Sequence, residues 1–166
     1  MNALKLLPIM VLVACSGPSK QDAAKVFAAA TASMSSAQSQ AVTSARNASL
    51  APAQLSIAYS GACLSGGTVA VTGNYDGTGT GQTATFDLST TFAGCRNLDS
   101  TLDGNLTWTS VATGTDFTAA MTGSLDYIDA NTSASCDFDL HLAVSAVHVS
   151  YTGTVCGYDV QTDLRI

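Results

Sequence analysis

Between Ser19 and about Ala48 the chain contains neither glycine nor proline, and its apolar side chains recur at spacings of three and four. Ala23, Val26, Phe27, Ala30, Met34, Ala37, Ala41 and Ala45 fall on one stripe of a helix with 3.6 residues per turn. Ser19 is placed to cap that helix, and Asp22, three residues on, to complete a capping box and favour the helix dipole. Most of the stripe is alanine, with Phe27 and Met34 as its large members, so the predicted helix can approach a sheet closely but buries modest area. The run of Ser, Gln and Ala from Ser33 to Ser44 leaves a looser reading open, a partly disordered tether.

After Pro52 the period changes to two. Val69 and Val71 alternate with Thr68, Ala70 and Thr72, and Ala84, Phe86, Leu88, Thr90 and Phe92 alternate with Thr and Asp. Leu102, Leu106 and Trp108 share a side, as do Phe117, Ala119, Met121, Leu125 and Tyr127, then Phe138, Leu140, Leu142 and Val144. Each run reads as a strand with one buried face. Turn signals separate them: Asp76 to Gly81, Asp103-Gly104 and Gly114. Connections this short exclude parallel crossovers and predict an antiparallel meander of about seven or eight strands. The expected fold is mainly β, a curved sheet or incomplete barrel with one N-terminal α-helix packed on its apolar face.

The first residues form a secretory signal: Lys5 as the sole charge, an apolar stretch from Leu6 to Val13 and a small residue before Cys15. That stretch is too short to span a bilayer, which takes roughly 20 apolar residues. Leu12-Val13-Ala14-Cys15 followed by Ser16-Gly17-Pro18-Ser19 resembles the lipobox of bacterial lipoproteins. The resemblance covers only the N-terminal segment. It implies cleavage before Cys15, a diacylglyceryl group on its sulfur and a further acyl chain on its nitrogen. With Ser16 in place of a retention Asp, it also implies an outer-membrane protein, lipid-anchored and facing the periplasm. The expected organisation is a signal peptide over 1–14, an acylated Cys15 with a short tether over 15–21, and a single domain over 22–166.

About 150 residues remain after cleavage, enough for one domain with a core. The formal net charge is −6, with 12 acidic residues, all of them Asp. An acidic body this poor in Lys and Arg has no electrostatic footprint for nucleic acid, and its membrane affinity must come from covalent lipid. Apart from Cys15, the cysteines are Cys63, Cys95, Cys136 and Cys156, an even number in an exported and therefore oxidising setting. They are scattered singly, without the clustered spacing of a zinc site, so two disulfides are expected and no metal. The meander places all four at one end of the sheet and favours Cys63 with Cys95 and Cys136 with Cys156, although two other connectivities exist. Both pairings break the strand parity unless a bulge or irregular residue sits near each cysteine.

Asp137-x-Asp139-x-His141 sets two carboxylates and an imidazole on one strand face, a weak candidate for a metal or acid-base cluster, opposite the Phe138-Leu140-Leu142 side. Alternation alone generates such runs on solvated faces. His148 has opposite parity to His141, which without a bulge sends the two imidazoles to opposite faces. The Asp76 to Gly81 loop lacks the later acidic ligand of a calcium loop. No nucleophile elbow, phosphate loop or zinc-protease motif occurs, so no catalytic residue and no cofactor is assigned.

An eight-stranded outer-membrane barrel fits the length, but the Thr, Ser and Asp side of the strands and the scarcity of aromatics argue against a lipid-facing band. The expected function is a non-enzymatic envelope protein, structural or binding another envelope component through its Thr-rich face. The alternative is a carrier of an apolar ligand. A helix over a concave sheet is also the arrangement of the periplasmic localisation factors for lipoproteins, an analogy of fold without a shared motif.

Overall fold

The computed structural model describes residues 18–48, 54–77 and 83–165. One helix, α1 (Lys20–Ala48), precedes eight strands: β1 (Gln54–Ala62), β2 (Thr68–Gly77), β3 (Thr83–Asn97), β4 (Ser100–Thr113), β5 (Asp116–Asp129), β6 (Ser133–Ser145), β7 (His148–Val155) and β8 (Tyr158–Arg165). The strands pair antiparallel in chain order from β1 to β8, and the sheet does not close. Among the described residues, the buried apolar side chains lie on the face that α1 covers. Among the described residues no helix is long and apolar enough to cross a membrane.

The capping box forms as its spacing predicts. Ser19 Oγ donates to Asp22 Oδ2 at 2.6 Å, and the Asp22 amide donates back to Ser19 Oγ at 3.2 Å. The helix then runs without interruption through Ser33–Ser44, so that stretch is part of α1 rather than a loose tether. Ala23, Val26, Ala30, Met34, Ala37 and Ala41 are buried. Val26 is fully enclosed at 0% exposure, whereas Phe27, expected as a core anchor, is only partly buried and stands edge-on to Tyr151 at 6.3 Å. The alanines set the close approach, and the helix rim makes specific polar ties to the sheet. Tyr158 OH donates to the Pro18 carbonyl, Thr132 Oγ1 to Asp22, Asn97 Nδ2 to Ser33, and Tyr59 OH to Gln40. From Pro18 onward the chain is therefore already attached to the domain.

Beneath the helix, Ile57, Val71, Leu88, Phe92, Leu102, Leu106, Met121, Leu125, Phe138 and Leu140 form the sheet's contribution to one core. Their period-two spacing puts them on the inner face of every strand from β1 to β6. At several inner positions the backbone itself needs the space, Gly104 and Gly153 among them. Gly104 on β4 and Gly153 on β7 both take φ of 128°, and a Cβ there would collide with the carbonyl oxygens of Ser124 and Asp139 on the neighbouring strands. Such positions let a sheet bend inward.

Asp103-Gly104 reads as a turn but lies within β4; the β3–β4 turn is at Leu98-Asp99 instead. The reason is the neighbouring bulge. Between Phe92 and Cys95 the β3–β4 register slips, Gly94 adopts φ of 54°, and its amide donates to Asp103 Oδ2 at 2.8 Å. The Asp-Gly pair serves this bulge: the carboxylate satisfies an amide that the slipped register leaves without a ladder partner.

Candidate functional site

The sulfurs join Cys63 to Cys95 and Cys136 to Cys156, with Cα separations of 5.4 and 4.2 Å. Both pairs lie at the end of the sheet that holds the β1–β2, β3–β4, β5–β6 and β7–β8 turns. The parity conflict is resolved by two irregularities, the β3 bulge before Cys95 and the left-handed Cys156 at φ 53°. Cys63 sits in the β1–β2 turn, just beyond β1, rather than at the start of a strand. Cys15 and the signal segment lie outside the described residues.

Asp137, Asp139 and His141 fall on the outer face of β6, as alternation predicts. His141 Nε2 is 3.3 Å from Asp139 Oδ1, with side-chain exposures of 61% and 67%. The three do not converge: Asp139 and His141 meet, but Asp137 is four residues from His141, about 13 Å along the strand. Among the described residues no group of three His, Cys or Asp side chains could hold a metal ion. His141 edges a shallow outer depression of about 360 Å³, but Asp137 and Asp139 do not line it. The expectation for His148 is corrected. A two-residue turn aligns Ser145 with His148, which places His148 on the same outer face as His141, paired with Asp163. Parity along the chain restarts at each hairpin, so it cannot be carried across a turn of unknown length. The Asp76 to Gly81 loop lies mostly outside the described residues; Asp76 itself accepts from Gln54 Nε2 at 3.3 Å.

The most developed hollow is on the inner side. Beside α1, part of the inner face of β3, β4, β5 and β7 is left uncovered, making a groove of about 620 Å³. Phe86, Leu88, Trp108, Phe117 and Tyr151 line it from the sheet, and Met34 and Val42 from the helix. The polar groups gather on the helix side, where Thr31, Ser35, Gln38, Ser39, Thr43 and Arg46 line it, while the sheet wall contributes only the buried Ser110. Arg46 is exposed and pairs with no carboxylate among the described residues. Burial pushes the Tyr151 phenol above its usual range, so it is a neutral hydroxyl on an apolar wall at neutral pH. A concave apolar surface with a few polar groups at its margin is the usual form of a small-ligand site.

A second hollow of about 530 Å³ lies across the helix, lined by Ala29, Ser33, Gln40, Tyr59, the Cys63–Cys95 bridge, Leu64 and Leu98. Period two alone places Phe86, Trp108, Phe117 and Tyr151 on the inner face. It does not say which of them the helix leaves bare, and that is what makes the groove. No family model, curated protein or solved structure matches this chain.

Proposed function

We propose that this chain is a non-enzymatic, outer-membrane-anchored lipoprotein that acts as an envelope binding module and takes an apolar ligand in the groove beside α1. The observation that carries the reading is the groove itself, about 620 Å³ with a mostly aromatic and aliphatic sheet wall facing a polar helix side, within the range of roughly 300 to 1,000 Å³ typical of small-molecule sites. Among the described residues, Arg46 is the only cation lining it. A single-chain amphiphile with an anionic head, such as a fatty acid, matches both the apolar wall and that charge.

The anchor rests on the lipobox at Leu12 to Cys15. The carrier alternative supplies the ligand class, with one change to its mechanism. The buried stripe of α1 and its polar ties to four parts of the sheet favour a helix that is the groove's permanent wall, so the ligand enters alongside it. Trp108 is the chain's only tryptophan and lines the groove. A dansyl-labelled fatty acid should therefore quench Trp108 emission by energy transfer and be displaced by unlabelled palmitate, and Phe117→Asp should abolish both effects. Native mass spectrometry of protein taken gently from membranes should show bound lipid. Wild-type protein that neither copurifies with lipid nor transfers energy from Trp108 would sink the proposal.

A further inference from the structure

Leu64 and Leu98 are the most exposed large apolar residues among those described, at 75% and 78%. Leu64 is in the β1–β2 turn and Leu98 in the β3–β4 turn, and both border the same hollow beside the Cys63–Cys95 bridge. These tips are held to each other. The Ser65 amide donates to the Arg96 carbonyl at 2.9 Å, the Arg96 amide donates to the Gly66 carbonyl at 2.8 Å, and the disulfide joins the two segments. Leu98 also holds a left-handed φ of 52°, a conformation that favours Gly or Asn. Neither burial nor backbone preference accounts for leucine at that position.

The same end of the sheet receives the chain from its N-terminal segment. Tyr158, at the β7–β8 turn, donates to the Pro18 carbonyl at 2.8 Å, and Thr132, at the β5–β6 turn, donates to Asp22. Cys15 precedes Pro18 by three residues, a reach of about 11 Å even when fully extended. The opposite end of the sheet, with the β6–β7 turn and its exposed Val147, is about 40 Å away along the strands. Ile128, exposed on the outer face near the end of β5, adds a third apolar side chain to the near end.

We infer that the domain stands end-on to the bilayer, with the disulfide-bearing turns toward the lipid and Leu64 and Leu98 inserted at the headgroup boundary. The inference rests on the reading of Cys15 as the acylated residue. Two apolar tips on a cross-linked end, the same end of the sheet at which the chain arrives from Cys15, enter the interface without reorganising the fold. Rigid tips also fix the domain's tilt, which the tether alone would leave free. The fatty-acid groove lies toward the far half of the sheet, on the side away from the lipid.

The test uses acylated protein purified from bacterial membranes and reconstituted into vesicles of phosphatidylethanolamine and phosphatidylglycerol, with and without brominated acyl chains. Leu98→Cys, Leu64→Cys and Val147→Cys are each labelled with an environment-sensitive fluorophore, and the acyl mass is verified on the same samples. The expected result is a blue shift and at least twofold quenching by bromolipid at positions 64 and 98, with neither at 147. Acylated protein that shows equal quenching at all three positions, or none at any, overturns the end-on placement while leaving the anchor intact. A mature protein lacking the acyl mass overturns the anchor, and this inference with it. Because all three side chains are exposed, the labels do not disturb the core, and intact masses verify that both disulfides remain.

Discussion

Asp22 shows how much one side chain does at the start of the fold. Its carboxylate accepts from the Ser19 hydroxyl and amide, receives the Thr132 hydroxyl at 3.0 Å and lies 3.5 Å from Lys25. The Ser19 bond, then the Thr132 bond, hold its carboxyl below the ordinary value of 3.8. A carboxyl lowered in the folded state contributes stability above its unfolded value, and that contribution is lost as pH falls through the folded value. Asp22→Asn should therefore be less stable than the wild type near pH 7, and the two should converge below about pH 4. Denaturant titrations at a series of pH values would show this; a gap that stays constant down to pH 2 would mean that the carboxylate's charge is not what ties the helix to the β5–β6 turn. Asp129 acts similarly, with its carboxyl lowered first by the Asn131 amide and then by the Tyr127 hydroxyl. The paired phenol is pushed the other way, with burial and then the Asp129 bond raising Tyr127 to about 12. These two residues order one turn, the same one that receives the helix N-terminus through Thr132.

Among the elements, the turns of one end bear the most constraint. The bridge from Cys63 to Cys95 closes a separation of 32 residues, and that from Cys136 to Cys156 a separation of 20. In the chain-entropy account each stabilises the fold by roughly 3 to 4 kcal/mol, through restriction of the unfolded chain. Cys63→Ser should lower stability by about that amount and leave one free thiol, on the buried Cys95, that labels once the protein is denatured. Thiol labelling with peptide mapping reads this directly, and label found on Cys136 or Cys156 would show that the bridges exchange. The loss should also loosen Leu64 relative to Leu98, since the remaining ties there are backbone hydrogen bonds between the turn and β3.

At the scale of the molecule, an open sheet of eight strands is covered by a single helix whose buried stripe is mostly alanine. Small side chains let the helix sit low on the sheet, and the remaining apolar surface gathers in the groove beside it. With Val26 and Met34 in the common core, α1 should open only with the sheet. Hydrogen exchange should find amides from Asp22 to Ala45 protected to nearly the same degree as those from Thr83 to Phe92. Fast exchange throughout α1 beside a slowly exchanging sheet would identify the helix as a removable cover, and the groove as half of a larger cavity.

A meander of seven or eight strands, the buried faces of β2 to β6, the helix and its cap were legible along the chain, because each depends on neighbours within a few residues and on strict periods of two and 3.6. The cysteine pairing was legible as well, once consecutive strands were taken to be adjacent. Where local reading failed, a long-range partner decided the outcome. Asp103-Gly104 serves a bulge on another strand instead of making a turn, His148 returned to the face of His141 because of one turn's length, and Phe27 was left only partly buried, edge-on to Tyr151 of β7. The groove is of this kind too. Phe86, Trp108, Phe117 and Tyr151 come from four strands, and only the packing of α1 across the curved sheet decides that they remain uncovered together.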